Sequence, residues 1–284
     1  MTRKNIFDLL EEKYDIKYEM EKITQLFFSP LFTNLDPYSY NQTSCTIENI
    51  VDNRLLYVWK QRKNCLSCNE IKIKLDLKFD FSELDNVILI LEYFENLIYL
   101  VDRYVSINNY NYNYKIIQEY IMLKENINNL LDYINHEIFW IAQEEKVLIV
   151  PKNPAATSVA EISNDETAMA ILMYNHHTLK GDLEAKRKIL YSIAKEYEPL
   201  LSKPIDGFKD YFVKATNMLN NLDIRHNNKK GKHKNNLVVN LKNDELEKWY
   251  DELYQLLLFC VLIKDNIERK NNIEEFLKNL KQGA

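Results

Sequence analysis

Four glycines and six prolines in 284 residues leave this chain short of the residues that tight β-turns require. Glycine supplies positive φ at no steric cost and proline presets a turn. Their scarcity argues against a turn-dense all-β fold and for long helices. Apolar residues at 46% and charged residues at 28% are the proportions of a soluble globular protein. A chain of this length builds one large domain or two modest ones. The Asn- and Tyr-rich run NNYNYNY at 108–114 reads as compositional drift rather than as a functional low-complexity tract.

The most apolar windows, VILIL at 87–91 and LIYLV at 97–101, are separated by Glu92 and Glu95. No run approaches the roughly 18 uninterrupted apolar residues of a membrane span. The first twenty residues carry acids where an export signal needs an apolar core. Four cysteines do not make a disulfide framework. The expectation is a cytoplasmic protein with no membrane partner.

Periodicity divides the chain near residue 150. Residues 3–28 read as a helix, and RLLYVWKQR (54–62) reads as a strand. EIKIKLDLKFDF (70–81) alternates without a break, with Ile71, Ile73, Leu75, Leu77, Phe79 and Phe81 on one side. The two runs predict a β-hairpin over 54–81. Ser82 and Asp85 suggest a cap for a helix over 83–105, and a second long helix is expected over 115–144. KVLIV (146–150) is short and β-rich, and PKNP after it marks a boundary. The fold class expected is mainly α: a helical bundle with a small antiparallel β-hairpin in an N-terminal region, 1–150, followed by a helical domain, 151–284.

Within the second region, helices are expected over 166–175, 182–197 and 208–222, and a last one opening at Asp244 with Glu247 as its capping partner. Leu246, Trp249, Leu253, Leu256, Cys260, Ile263 and Ile267 step by three and four along it, a heptad-like seam. At roughly 1.5–3 kcal/mol for each buried side chain, the seam represents at least about 10 kcal/mol. That face belongs to a core or to a dimer interface.

Several candidate sites have plain structural readings. Cys65 and Cys68 form a CxxC at the expected hairpin tip, without the four ligands of a zinc knuckle or a thioredoxin-type setting. His176 and His177 suit capping at a helix C-terminus better than shared metal ligation. Glu144 and Glu145 suit a helix surface. No P-loop, dinucleotide turn, HExxH or GxSxG is present, and so few glycines nearly exclude a backbone phosphate cradle. No metal or cofactor is expected.

The stretch DIRHNNKKGKHKNN, 223–236, holds Arg225, Lys229, Lys230, Lys232 and Lys234 against the single acid Asp223, in a chain of net charge −5. It also holds His226 and His233. A guanidinium can hold a phosphate while an imidazole moves a proton. The plain alternative is a solvated loop whose Arg225 pairs with Asp223 or with an acid of the following helix.

An Arg followed by a polar residue and then a His, between two helices of a bundle, resembles the HEPN superfamily. The C-terminal half looks like bacterial abortive-infection proteins in KNPAATSVAEI (152–162), YNHHTLKGDLEAKRKIL (174–190), NNLDIRHNN (220–228) and LEKWYDELYQLLL (246–258). The resemblance implies a helical bundle that dimerises and cuts RNA without metal in antiphage defence. Arg225 would bind phosphate, with His226 as the polar residue beside it and His233 as the proton-transfer group. Lys229, Lys230, Lys232 and Lys234 would bind the nucleic acid. The chain departs from the family in one respect. Four to six residues separate Arg from His there, whereas seven separate Arg225 from His233, and Lys230 stands where the shortest spacing puts a His. The alternative implied is a non-catalytic sensor or partner subunit of a defence complex, docking RNA or protein through the same loop.

Overall fold

A computed structural model describes residues 14–34, 44–107, 114–116, 118–141, 144–226 and 235–282. The chain divides into two compact units, Met1–Lys152 and Asn153–Ala284, and is mainly helical with minor β-structure. No described helix is long and apolar enough to cross a membrane.

In the first unit, helix α1 (Ile16–Phe27) opens on Asp15, whose Oδ1 accepts the backbone N–H of Lys17 at 2.9 Å. Strands β1 (Phe32–Asn34), β2 (Ser44–Cys45) and β3 (Tyr114–Ile116) form an antiparallel sheet in the order β2-β1-β3. The short helix α2 (Ile47–Ile50) continues into a π-helical turn, Val51–Leu55, and a 3₁₀ turn, Lys60–Arg62. Helices α3 (Cys68–Lys74), α4 (Leu84–Ile107) and α5 (Gln118–Tyr133) follow, and then a hairpin of β4 (His136–Ile141) and β5 (Lys146–Pro151). Helix α4 supplies the centre of the core: Val87, Ile90, Leu91, Phe94, Leu97 and Val101 are fully buried, and Phe94 stacks on Phe27 at 3.8 Å.

The hairpin is therefore at 136–151, not at 54–81. Residues 54–62 are helical turns, with Leu55 and Trp59 buried one turn apart. The alternating run at 70–81 is overruled by caps at both ends of α3. Ser67 Oγ accepts the N–H of Glu70, and Glu70 returns a carboxylate to the N–H of Leu66. At the other end Asp76 takes φ 47°, Asp76 N–H bonds to Ile73 O, and Leu77 N–H to Lys72 O. That is a Schellman stop made without glycine. Ile71 is buried while Ile73 is 70% exposed, so the apparent single face does not exist.

The helix expected over 115–144 stops at Tyr133, because Asn135 adopts φ 56° and turns the chain into β4. The hairpin then docks on α4 through two side chains, Glu92, which accepts the N–H of Ile149 at 3.2 Å, and Asn96. The Asn96 amide donates to Val147 O at 2.8 Å and accepts from Val147 N–H at 3.0 Å. It takes the place of a neighbouring strand along the open edge of β5.

The second unit is all helical among its described residues: α6 (Pro154–Glu161), α7 (Asp165–Met173), a 3₁₀ turn (His177–Leu179), α8 (Leu183–Glu196), α9 (Glu198–Leu201), α10 (Lys209–Asn221), α11 (Asn236–Asn240) and α12 (Asn243–Gln282). Asn153, Asn164 and Asp182 cap α6, α7 and α8 through their side chains. Helix α12 opens one residue earlier than expected, and Glu245, not Glu247, caps it by accepting the N–H of Lys242 at 3.0 Å. Its buried face runs Leu246, Tyr250, Leu253, Tyr254, Leu257, Leu258, Cys260, Val261 and Ile263 against α6, α8 and α10. The expected seam is broader than a heptad line, and Trp249, one of its members, is 50% exposed. This part of the face closes on its own unit.

Candidate functional site

The cationic turn begins where α10 ends. Asp223 takes φ 63°, Ile224 is buried at 3% exposure in the core, and Arg225 N–H bonds back to Leu219 O at 3.0 Å. These contacts fix the backbone on the N-terminal side of the Arg225 Cα. The Arg225 guanidinium is ion-paired with Glu198 at the start of α9, and its side chain is only 17% exposed. The partner is thus an acid upstream in the chain, not Asp223 and not an acid of the following helix. Arg187 of α8 reaches the same turn, its Nη1 donating to Asp223 O at 3.4 Å. Arg225 and His226 are neighbours in the sequence just after α10, the first partly buried and the second exposed. Lys229, Lys230, Lys232, His233 and Lys234 lie outside the described residues.

A second polar cluster joins α8 to α12. Lys186, 6% exposed, sits on the apolar stripe that Leu190 and Ile193 continue. Its Nζ lies 2.8 Å from Glu247 Oε1 and 2.7 Å from Asp251 Oδ1, and 5.1 Å from the centre of the Tyr174 ring. Tyr174 donates its hydroxyl to Asp251 at 3.0 Å and stacks on Tyr254 at 4.0 Å. Glu247 also accepts the N–H of Gly181 at 2.9 Å. Burial raises the Glu247 carboxyl, but the bonds from Lys186 and Gly181 outweigh it and hold that carboxyl below its ordinary range. Burial, then the Asp251 charge, push the Tyr174 hydroxyl up, so it stays a donor. A lysine at helical spacing with Leu190 and Ile193 was the one sequence signal for this cluster. Glu198 carried no such signal, being one acid among several in a polar stretch.

His176 is buried, and its Nδ1 lies 2.7 Å from Thr178 Oγ1 while also accepting Thr178 N–H at 3.4 Å. It caps the start of a 3₁₀ turn, where a helix C-terminal role was expected. Cys65 and Cys68 are buried at the N-terminus of α3 rather than at a hairpin tip. Burial first, then the hydrogen bond and charge of Asp52, push the Cys68 thiol up, away from the thiolate that metal binding and redox chemistry need. Glu144 and Glu145 lie at the β4–β5 turn, not on a helix surface, and Glu145 pairs with Arg103. Comparisons with protein-family models, curated proteins and solved structures find no match to this chain.

Proposed function

We propose that the C-terminal unit is a HEPN-like, metal-independent ribonuclease of antiphage abortive-infection defence, acting through the cationic stretch 223–236. The observation that supports this reading is the fixed Arg225. Its backbone is pinned on the N-terminal side, its guanidinium is oriented by Glu198, and the exposed His226 follows it in the sequence. A preorganised cation loses little entropy when it meets a phosphate and stabilises the charge gathering on the ester oxygens. In this reading the RNA 2′-hydroxyl attacks its own phosphodiester. An imidazole of the turn, from His226 or His233, takes the attacking proton or returns one to the leaving oxygen. Phosphate would compete with Glu198 for Arg225, and Lys229, Lys230, Lys232 and Lys234 would hold the flanking backbone.

One observation favours a second reading, a non-catalytic sensor or partner subunit that binds RNA. Arg225 is already neutralised by Glu198, so the turn can dock a strand without a free cation at its centre. Expression in bacteria of the chain and of its Arg225→Ala, His226→Ala and His233→Ala variants, read by growth arrest and total RNA integrity, separates the two. Arrest and RNA loss with the parent chain, abolished by Arg225→Ala and by one of the histidine variants, are expected for the nuclease. Intact RNA, with single-strand binding whose log affinity falls with log salt at a slope of about −2.8, selects the docking module, taking about 0.7 for each of the four lysines. Absence of both cleavage and binding overturns both.

A further inference from the structure

Helix α4 turns two acids toward α5. Glu95 and Asp102 stand seven residues apart in the sequence, two helical turns or about 10 Å along one face. Asp102 accepts the Tyr120 hydroxyl at 2.7 Å and lies 2.6 Å from Lys124 Nζ, both from α5. Glu95 is 8% exposed, and among the described residues nothing hydrogen-bonds its carboxyl. Burial pushes that carboxyl up to about 7, with Lys124 opposing the rise and Asp102 adding to it. Tyr120 is the remaining titratable group that faces it among the described residues.

The two acids offer Lys124 different surroundings. The Lys124 and Asp102 side chains are 42% and 39% exposed, so water screens their attraction and the pair is weak. A charged Glu95 lies instead in a low-dielectric interior without a donor. There an unpaired carboxylate is costly and a nearby cation is strongly attracted. Lys124 carries its ammonium on a flexible stem with rotatable donors, and its charge acts on both acids.

We propose that Lys124 is a proton-operated latch between α4 and α5, holding Asp102 while Glu95 is neutral and turning to Glu95 once its proton leaves for solvent. Among the described residues Asp102 then keeps only Tyr120, whose ring packs on Phe32 of β1 at 4.9 Å. The exchange thus reaches the small sheet of this unit. It is independent of the stretch 223–236 and of any activity there. NMR of the full chain, with carbon-13 in glutamate carboxyls and lysine side chains, tests it. Signals are assigned by through-bond correlation and followed between about pH 5 and 9, a range bracketing the Glu95 midpoint. The expected result is that the Glu95 carboxyl and the Lys124 side-chain signals titrate together near 7. In Glu95→Gln the Lys124 signals stay fixed across the range. Asp102→Asn shifts them at the acid end only, because at the alkaline end the lysine has already left Asp102. Lys124 signals without a midpoint near neutrality, or with one that survives Glu95→Gln, overturn the latch. An Asp102→Asn shift of equal size at both ends overturns it too, since Lys124 then never changes partner. So does a Glu95 carboxyl that titrates near the ordinary value of about 4.3.

Discussion

Replacing Lys186 with methionine tests the electrostatics of the second unit most directly. The thioether keeps most of the volume of the lysine stem, so packing against Leu190 and Ile193 survives while the charge is removed. Removing one member of a buried ion pair costs about 3–5 kcal/mol, because the other charge is left uncompensated. That figure applies to Glu247, whose side chain is 18% exposed, and not to Asp251, which is 47% exposed and screened by water. Glu247 also keeps the Gly181 N–H, which lowers its share further. Lost contact with the Tyr174 ring adds about 0.5–1 kcal/mol. The expected cost is about 2–3 kcal/mol at pH 7, or a fall in melting temperature of roughly 6–12 °C for a unit of this size.

The pH dependence supplies an independent check on the same cluster. The Glu247 carboxyl is held below its ordinary range in the folded chain, so its stabilisation is present above the unfolded carboxylate pKa of about 4.3. It is lost as pH falls through the folded value. Once Glu247 is protonated, Lys186 has less to neutralise, and the parent and Lys186→Met chains converge. Urea unfolding of both at pH 7 and at successive values down to pH 3 measures the gap. A Lys186→Met chain within about 0.5 kcal/mol of the parent at pH 7, the range of ordinary surface substitutions, refutes the reasoning. A gap that does not narrow in acid refutes it too.

Two further expectations concern the first unit. Glu95 is 8% exposed, and burial pushes its carboxyl up to about 7, with Lys124 opposing and Asp102 reinforcing the rise. The folded state therefore holds this proton more tightly than the unfolded chain, and its stabilisation, full below about pH 4.3, is lost as pH rises to 7. Glu95→Gln should remove a decline on the order of 3 kcal/mol between pH 4.5 and 8 in chemical unfolding; equal slopes in the two chains would contradict this. Asn96→Ala should cost about 2–3 kcal/mol, because it leaves both backbone groups of Val147 without their partner. Faster amide hydrogen exchange at Val147 is the specific signature, and an unchanged rate would show that the amide does not anchor the hairpin.

How far the fold can be read from the chain depends on whether the deciding interactions are local. The caps Asp182 and Asn164 bond to N–H groups three residues away, and the helix starts they set lie within a residue or two of the expected ones. The run 70–81 shows the opposite case. Its alternation is genuine, but Ser67 and Glu70 start a helix and the positive φ of Asp76 stops it, and capping geometry outweighs a period-two pattern over so few residues. The hairpin at 136–151 was half visible, as KVLIV. Its other strand was absorbed into a long apolar stripe, because Ile127, Leu130, Leu131, Ile134, Ile138 and Ile141 keep helical spacing across the turn at Asn135. Non-local pairs were out of reach of any pattern. Glu198 lies twenty-seven residues from Arg225 and Glu247 sixty-one from Lys186, and only the packing of α8, α9 and α12 brings them together. The site at the turn is thus legible in its residue types and not in its partners. A guanidinium oriented by a distant carboxylate differs chemically from a free one, since a phosphate must displace that carboxylate before it can bind. Glu198→Gln should therefore tighten RNA binding severalfold if Arg225 contacts phosphate, and leave it unchanged if binding rests on the flanking lysines alone.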